Sequence, residues 1–274
     1  MIASVNIVTA MKSEALPLID HFCLERMTQK GEPFSIFGND ELKLIVSGVG
    51  TSMAHKAVRY LSRNDKSAQT SAWLNVGVVG HGTYATGTGF LANCIVESAT
   101  QRTIYPSFTI DHDLPTGKVI TVDGVNTDYQ PHAGYDMEAF GFATAATQFS
   151  TLEMIHCFKV VSDNQDHSVQ HLTKTDIQDF IAGHVGAIDR LCGQLHGLAK
   201  SVARRLHPED LTIEFAKRWR MTTAQREILK RKLHKTKLLE LDIKVDSDIV
   251  RDCLNASAML ACVQEFLDQH WKYV

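Results

Sequence analysis

Between His132 and His167 the chain carries the pattern that most narrows its fold. An acidic cluster, Asp136-Met137-Glu138, opens an Ala-rich apolar helix pattern over 139–149, and a short apolar strand pattern, Phe158 to Val161, then ends on Ser162-Asp163. A carboxylate at a helix start and another just past a strand's C-terminal end both project to one edge of a sheet. That edge is where α/β proteins place their ligand crevices. The stretch therefore predicts an α/β chain with two acidic side chains facing one pocket.

The rest of the first 198 residues supplies elements to match. Buried strands are expected at Ile2–Thr9, Trp73–Val79, Leu91–Ala99 (continuing through Arg102–Ser107) and Lys118–Val122, with a hairpin of Phe34–Phe37 and Leu42–Ser47 around Gly38-Asn39-Asp40. Helices are expected at Ser13–Phe22, with Ser13 as cap and Glu14 in the first turn, and at Ser52–Leu61. One long helix is expected from Thr175-Asp176-Ile177-Gln178 to Leu198, its apolar positions at helical spacing. Alternating strands and helices predict a three-layer α/β/α domain over 1–198 around a central mixed β-sheet.

Five short segments then fall in an order that resembles the nucleoside phosphorylase and nucleosidase superfamily. They are Thr9-Ala10-Met11-Lys12-Ser13-Glu14, Ser47-Gly48-Val49-Gly50, Asn75-Val76-Gly77-Val78-Val79-Gly80, Met137-Glu138-Ala139 and Ser162-Asp163. Within the superfamily the chain looks most like the 5'-methylthioadenosine/S-adenosylhomocysteine nucleosidases. That resemblance implies cleavage of the N-glycosidic bond of a purine nucleoside, with no cofactor and no metal, in a homo-oligomer. Glu14 would activate the attacking water and Asp163 would protonate or hydrogen-bond the leaving base, with Ser162 positioning it. Glu138 would grip the ribose hydroxyls above Met137, an adaptable apolar floor. Gly48 and the Gly77-Val78 turn would approach the substrate, Lys159 stands where the family has Arg, and His81 and His167 are candidate proton partners.

Two departures bear on the nucleophile and the base. In phosphorylases of the superfamily a hydroxyl helps to hold phosphate where this chain has Val78, and Ala72-Trp73-Leu74 supplies no Arg. An isopropyl group donates no hydrogen bond, which argues for water as the nucleophile. The segment from Asp123 to Glu138 is short, and the aromatic that stacks on the purine aligns with Asn126 or Tyr129. Two alternatives stay open: a phosphorylase that takes phosphate on Lys159 or Arg102, and a binding module that senses a nucleoside or joins a nucleic-acid complex without turnover.

Residues 199–274 have no counterpart in that minimal fold and read as an all-helical C-terminal extension. Helices are expected from Pro208-Glu209-Asp210, from Thr222-x-x-Gln225, and over Ile249–Leu267. Although the chain's net charge is -3, residues 200–237 hold twelve Lys or Arg against four acids. Such a basic stretch fits nucleic-acid phosphates, with Trp219 available to stack, or an acidic protein surface, or a solvated face. The six cysteines form no CxxC pair, and no signal peptide precedes the first strand, so reduced thiols in a cytoplasmic protein are expected. No apolar run is long enough for a bilayer, and Asp111-His112-Asp113 lacks a second cluster of metal ligands.

Overall fold

A computed structural model describes residues 4–29, 31–63, 70–126, 128–206, 209–239, 241 and 243–271. The chain divides into two compact units, Met1–Lys200 and Ser201–Val274, and the division falls within one helix, Val185–Leu206.

The first unit is built on a ten-stranded mixed sheet. Its strands are β1 (Val5–Thr9), β2 (Glu25–Arg26), β3 (Ser35–Gly38), β4 (Leu42–Val46), β5 (Ala72–His81), β6 (Gly89–Glu97), β7 (Thr103–Ile104), β8 (Thr116–Thr121), β9 (Ala133–Asp136) and β10 (Ile155–Asp163). Helices lie on both faces, giving the expected three layers. Helix α1 (Lys12–His21) packs with α4 (Lys174–Ala182), and α2 (Thr51–Arg63) packs with α3 (Ala139–Ala146). With both faces covered, β1 and β10 are buried at every residue, their polar Asn6, Thr9, His156, Lys159, Ser162 and Asp163 included, so neither strand has an exposed face.

The sheet closes on itself. Strand β10 pairs in parallel with β5 on one side and antiparallel with β6 on the other. Pairings β6–β8, β8–β9 and β9–β5 complete a five-strand ring, and β1, β4, β3 and β2 extend from β5. Long β5 makes this possible, because Ala72–Asn75 pair with β1 while Gly80 and His81 pair with β9. Asp163 is in register with Gly80 across a bulge, and Asp136 with Thr121. The ring thus gathers both carboxylates toward the C-terminal end of β5.

Several local expectations are corrected. Met11, not Ser13, is the N-cap of α1; Ser13 is buried in the first turn, and Glu14 turns its carboxylate back to the Met11 amide. Arg102–Ser107 does not extend β6. The chain turns at Gln101, where φ is 59°, and Thr103–Ile104 returns antiparallel. Strand β9 lies in the short segment before Glu138, where the sequence predicts no strand; partners on both sides impose an extended conformation on Ala-Gly-Tyr-Asp. The long helix after Thr175 is two helices, α4 and α5 (Val185–Leu206). Thr173 and Asp176, rather than Thr175 and Gln178, form the capping box of α4. At the break, His184 Nε2 bonds to the Gly87 carbonyl (2.8 Å) and the ring lies where a side chain at Gly89 would be. Ile2 and Pro208 lie outside the described residues.

In the second unit, α6 (Glu209–Arg218), α7 (Thr223–Leu238) and α8 (Ala256–Trp271) surround an apolar core that includes Phe215, Leu229, Leu233, Met259 and Val263. Thr222 and Gln225 cap α7 reciprocally, as their spacing predicts. Ile249 and Cys253 precede α8 instead of lying on it. Trp219 is 4% exposed, donates Nε1–H to the Cys253 carbonyl (2.8 Å) and carries the Arg218 guanidinium over its ring. It is a core residue and is not available to stack on a base. No described helix is long and apolar enough to cross a membrane.

Candidate active site

A cavity of about 300 Å³ opens where β1, β5, β9 and β10 end, lined by Glu14, Val78, Tyr129, Met137, Glu138, Ser162 and Asp163 among others. Each acidic group is held by a different device.

Glu14 sits in a cradle of backbone amides. Its Oε2 accepts from Ala10 N and Met11 N, each at 2.9 Å, and its Oε1 accepts from Val78 N at 3.0 Å. Gly77 makes the third contact possible, since a Cβ there would lie 2.9 Å from Oε1. Burial raises the Glu14 pKa above the usual carboxylate range, against the lowering effect of the amides and of Lys159. The raised pKa makes it a stronger base than a free carboxylate, and three fixed donors set its direction.

Glu138 precedes α3 and accepts from Gly50 N at 2.8 Å. Gly48 and Gly50 have φ of 82° and 108°, which bends the loop after β4 so that this amide points at the carboxylate. Burial, then the charge of Asp136, push the Glu138 pKa up to about 7.

Asp136 and Lys159 form a buried ion pair, Nζ to Oδ2 2.7 Å. Asp136 also accepts from Thr121 Oγ1 (2.7 Å) and from Ala139 N (2.8 Å), which secures the first turn of α3. Burial lowers the Lys159 pKa, but the neighbouring carboxylate of Asp136 more than offsets it, so the ammonium stays charged. Lys159 therefore lies behind the cavity wall, committed to Asp136.

Asp163 receives two hydroxyl groups. Ser162 Oγ donates to Oδ1 at 2.5 Å, and the Tyr129 hydroxyl donates to Oδ2. The Tyr129 ring packs into the space that a side chain at Gly80 would fill, and the residue is 5% exposed. Burial and Asp163 hold the phenol well above its ordinary pKa, so it stays a donor. Both Asp163 oxygens are thus engaged before any ligand arrives.

Of the residues singled out in the sequence, Glu14, Val78, Met137, Glu138, Ser162 and Asp163 line this one cavity. Gly48, Gly77 and Lys159 stand behind it and shape it through the contacts above. Val78 contributes an isopropyl wall and a backbone donor. His81 is not a proton partner: its Nδ1 accepts from the Thr83 and Tyr84 amides (2.9 and 2.8 Å), and burial pulls its pKa down to about 4. His167 is exposed and bonded to Asn164. Arg102 pairs with Glu97 at 2.9 Å and lies over Phe140 at a second cavity. Among the described residues no Lys or Arg lines the cavity that holds Glu14, Glu138 and Asp163.

Asp136 is the member whose importance the sequence understates. It stands in the acidic cluster, but only its contact with Lys159, 23 positions on, distinguishes a charge partner from a substrate ligand. The one sequence clue was a Lys inside an otherwise apolar strand.

No family model matches the chain, and no curated protein matches it. Solved structures do share its fold. The apo 5'-methylthioadenosine nucleosidase of Arabidopsis thaliana is 20% identical and superposes with a TM-score of 0.55, covering 72% of this chain and 97% of its own. The 5'-methylthioadenosine/S-adenosylhomocysteine nucleosidase of S. pneumoniae, solved with a transition-state inhibitor, is 17% identical with a TM-score of 0.55, covering 70% and 99%. Futalosine hydrolase of Helicobacter pylori is 15% identical with a TM-score of 0.55, covering 70% and 97%. The chain thus shares its fold with these nucleosidases and the futalosine hydrolase, the kind of fold that the five motifs led one to expect.

Proposed function

We propose that the chain hydrolyses the N-glycosidic bond of a purine nucleoside, with water as the nucleophile. The observation that carries this is the convergence of Glu14, Glu138 and Asp163 on one cavity that, among the described residues, no Lys or Arg lines. A carboxylate-rich wall favours a ribose that becomes cationic as the bond breaks and disfavours a phosphate anion. Of the cations a phosphorylase would need, Lys159 is bound to Asp136 and Arg102 to Glu97. The names of the structures that share the fold, two nucleosidases and a hydrolase, point the same way.

Each residue then has a task. Glu14, immobilised by three amides, orients a water and takes its proton. Glu138 accepts from ribose hydroxyls, and Met137 packs beneath the sugar. Asp163 delivers a proton or hydrogen bond to the leaving base, with Ser162 fixing its rotamer. Tyr129 gives up its bond to Oδ2 as the base enters. Val49 and Val125 line the cavity yet are 51% and 71% exposed, apolar surface that a second copy of the chain in a homo-oligomer would cover. For the basic residues 200–237 we propose a separate role, contact with nucleic acid or protein.

The Tyr129 contact also favours a second role, a nucleoside-binding module without turnover, because it occupies the oxygen that would face the base. One assay separates the two. Free base released from methylthioadenosine, adenosine, inosine and futalosine-like compounds is measured with and without phosphate, beside Asp163→Asn. Hydrolysis predicts release without phosphate and a loss of about 10²–10⁴-fold in the variant. Release that requires phosphate would overturn the choice of nucleophile. Tight binding with no release from any compound would establish the binding module instead.

A further inference from the structure

Away from the cavity, the fold brings together two reactive side chains that the proposed chemistry does not use. Cys253 lies in the turn before α8 and Cys262 inside that helix, and their sulfurs are 3.3 Å apart. Both are half-buried, so a small reagent can reach them.

The backbone on each side of the pair is held. Cys253 N donates to the Val250 carbonyl (3.2 Å), and the Cys253 carbonyl accepts from the buried Trp219 indole (2.8 Å). Arg218 ties the same turn down by donating to the Val245 and Arg251 carbonyls. Cys262 is held by its helix, whose neighbouring Met259 and Val263 are buried in the unit's core. With two thiols fixed this close, once one of them carries a mixed disulfide the other can attack it within the same molecule, without the entropy loss of bringing two partners together. The other cysteines offer no such arrangement. Cys157 and Cys192 are buried, and burial pushes both thiols up to about 12. Among the described residues, Cys253 and Cys262 are the one pair of hydrogen-bonded thiols.

We infer that Cys253 and Cys262 form a dithiol modification site that reacts with small disulfides, such as oxidised glutathione, and closes into an intramolecular disulfide. One cysteine loses its proton to solvent, and its thiolate attacks a sulfur of oxidised glutathione. A protein–glutathione disulfide forms, and one glutathione leaves as the thiolate. The second cysteine, deprotonated in turn, attacks the protein sulfur of that mixed disulfide and expels the other glutathione. Two protein thiols are oxidised, one small disulfide is reduced to two thiols, and no other reactant is needed. Burial, with the contact to Cys262, pushes the Cys253 thiol up to about 11, so the reaction quickens as pH rises toward that value.

The full-length protein is incubated with oxidised glutathione at mildly alkaline pH and examined by intact mass and peptide mapping. The expected product has lost two hydrogen atoms at this pair, keeps no glutathione there, yields a peptide joining Cys253 to Cys262, and reverts with dithiothreitol. Cys253→Ser should instead retain one glutathione on Cys262, because the resolving thiol is gone, and Cys262→Ser should retain one on Cys253. A wild-type protein that keeps glutathione on either residue, or that reacts at exposed Cys23 while leaving this pair untouched, would overturn the site. Mapping of the wild-type protein decides the matter even where a serine variant does not fold.

Discussion

The two units of this chain bury different things. In the first, Glu14, Asp136, Glu138, Lys159 and Asp163 are all buried and meet around one cavity. In the second, the hydroxyl of buried Thr236 bonds to the Leu233 carbonyl one turn back in its own helix, and no described carboxylate or ammonium is buried. The helical unit packs apolar groups inside, and its polar ties to distant residues include bonds to backbone carbonyls, from Arg218 to Val245 and Arg251 and from Trp219 to Cys253. The α/β unit tolerates several desolvated charges, each of which survives only because an amide, a hydroxyl or an opposite charge has been set beside it. Some of those partners are chain neighbours, as Ala10 and Met11 are for Glu14 and Ser162 is for Asp163, and others are remote, as Gly50 is for Glu138 and Lys159 for Asp136. The contrast shows where geometry has been exchanged for easy stability, and it can be tested by removing partners from each unit.

The largest effect should follow from Lys159→Met, which leaves the buried Asp136 without its opposite charge, with only the Thr121 hydroxyl and the Ala139 amide as partners. A loss of about 3–5 kcal/mol is expected in denaturant unfolding. The double variant Asp136→Asn/Lys159→Met should recover part of that loss. If the single variant is as stable as the wild type, the pair does not hold the site together.

A smaller effect should appear as a slope against pH. Glu138 has its pKa raised from 4.5 to about 7 on folding. Between those values the unfolded chain releases a proton that the folded chain keeps, so the Glu138 contribution lowers stability as pH rises through this window. Above about 7 the loss is complete. Unfolding midpoints of wild type and Glu138→Gln, followed from pH 4 to 8, should diverge in wild type's favour at the acid end; parallel curves would contradict the burial of an ionising Glu138.

Tyr129→Phe should act on binding alone. Without the phenol competing for Oδ2, KM is expected to fall by about tenfold, the worth of a hydrogen bond to a charged group, with kcat unchanged. A fall in kcat at constant KM would instead make the phenol a participant in the reaction. At the far end of the scale, Arg231→Ala on the exposed side of α7 should change unfolding free energy by no more than about 0.5 kcal/mol. A larger loss there would mean that the basic surface is structural after all.

The motifs that were legible in the sequence are those made by neighbours in the chain. Glu14 binds Ala10 and Met11, and Ser162 binds Asp163, so short segments carry their own geometry. The capping box at Thr222-Gln225 was readable for the same reason. Tyr129 was a weak candidate because its partner is 34 positions away. Trp219 looked like a surface aromatic in a basic stretch, and only the packing of Met259, Val263 and their neighbours buries it. The break between α4 and α5 depends on a carbonyl of Gly87, almost a hundred residues upstream.

Apolar runs, Gly-bearing turns and carboxylates at strand and helix ends determined by themselves that this chain would form a layered α/β unit with acidic groups at one edge, followed by helices. Periodicity and local capping act within a few residues, and a single sequence states them directly. The tertiary structure alone decided that β10 would close the ring against both β5 and β6, that Lys159 would be spent on Asp136, that Tyr129 would cover Asp163, and that Cys253 would meet Cys262. Such pairings depend on strand register and on which groups lose their water together, and both are properties of the assembled core rather than of any one segment.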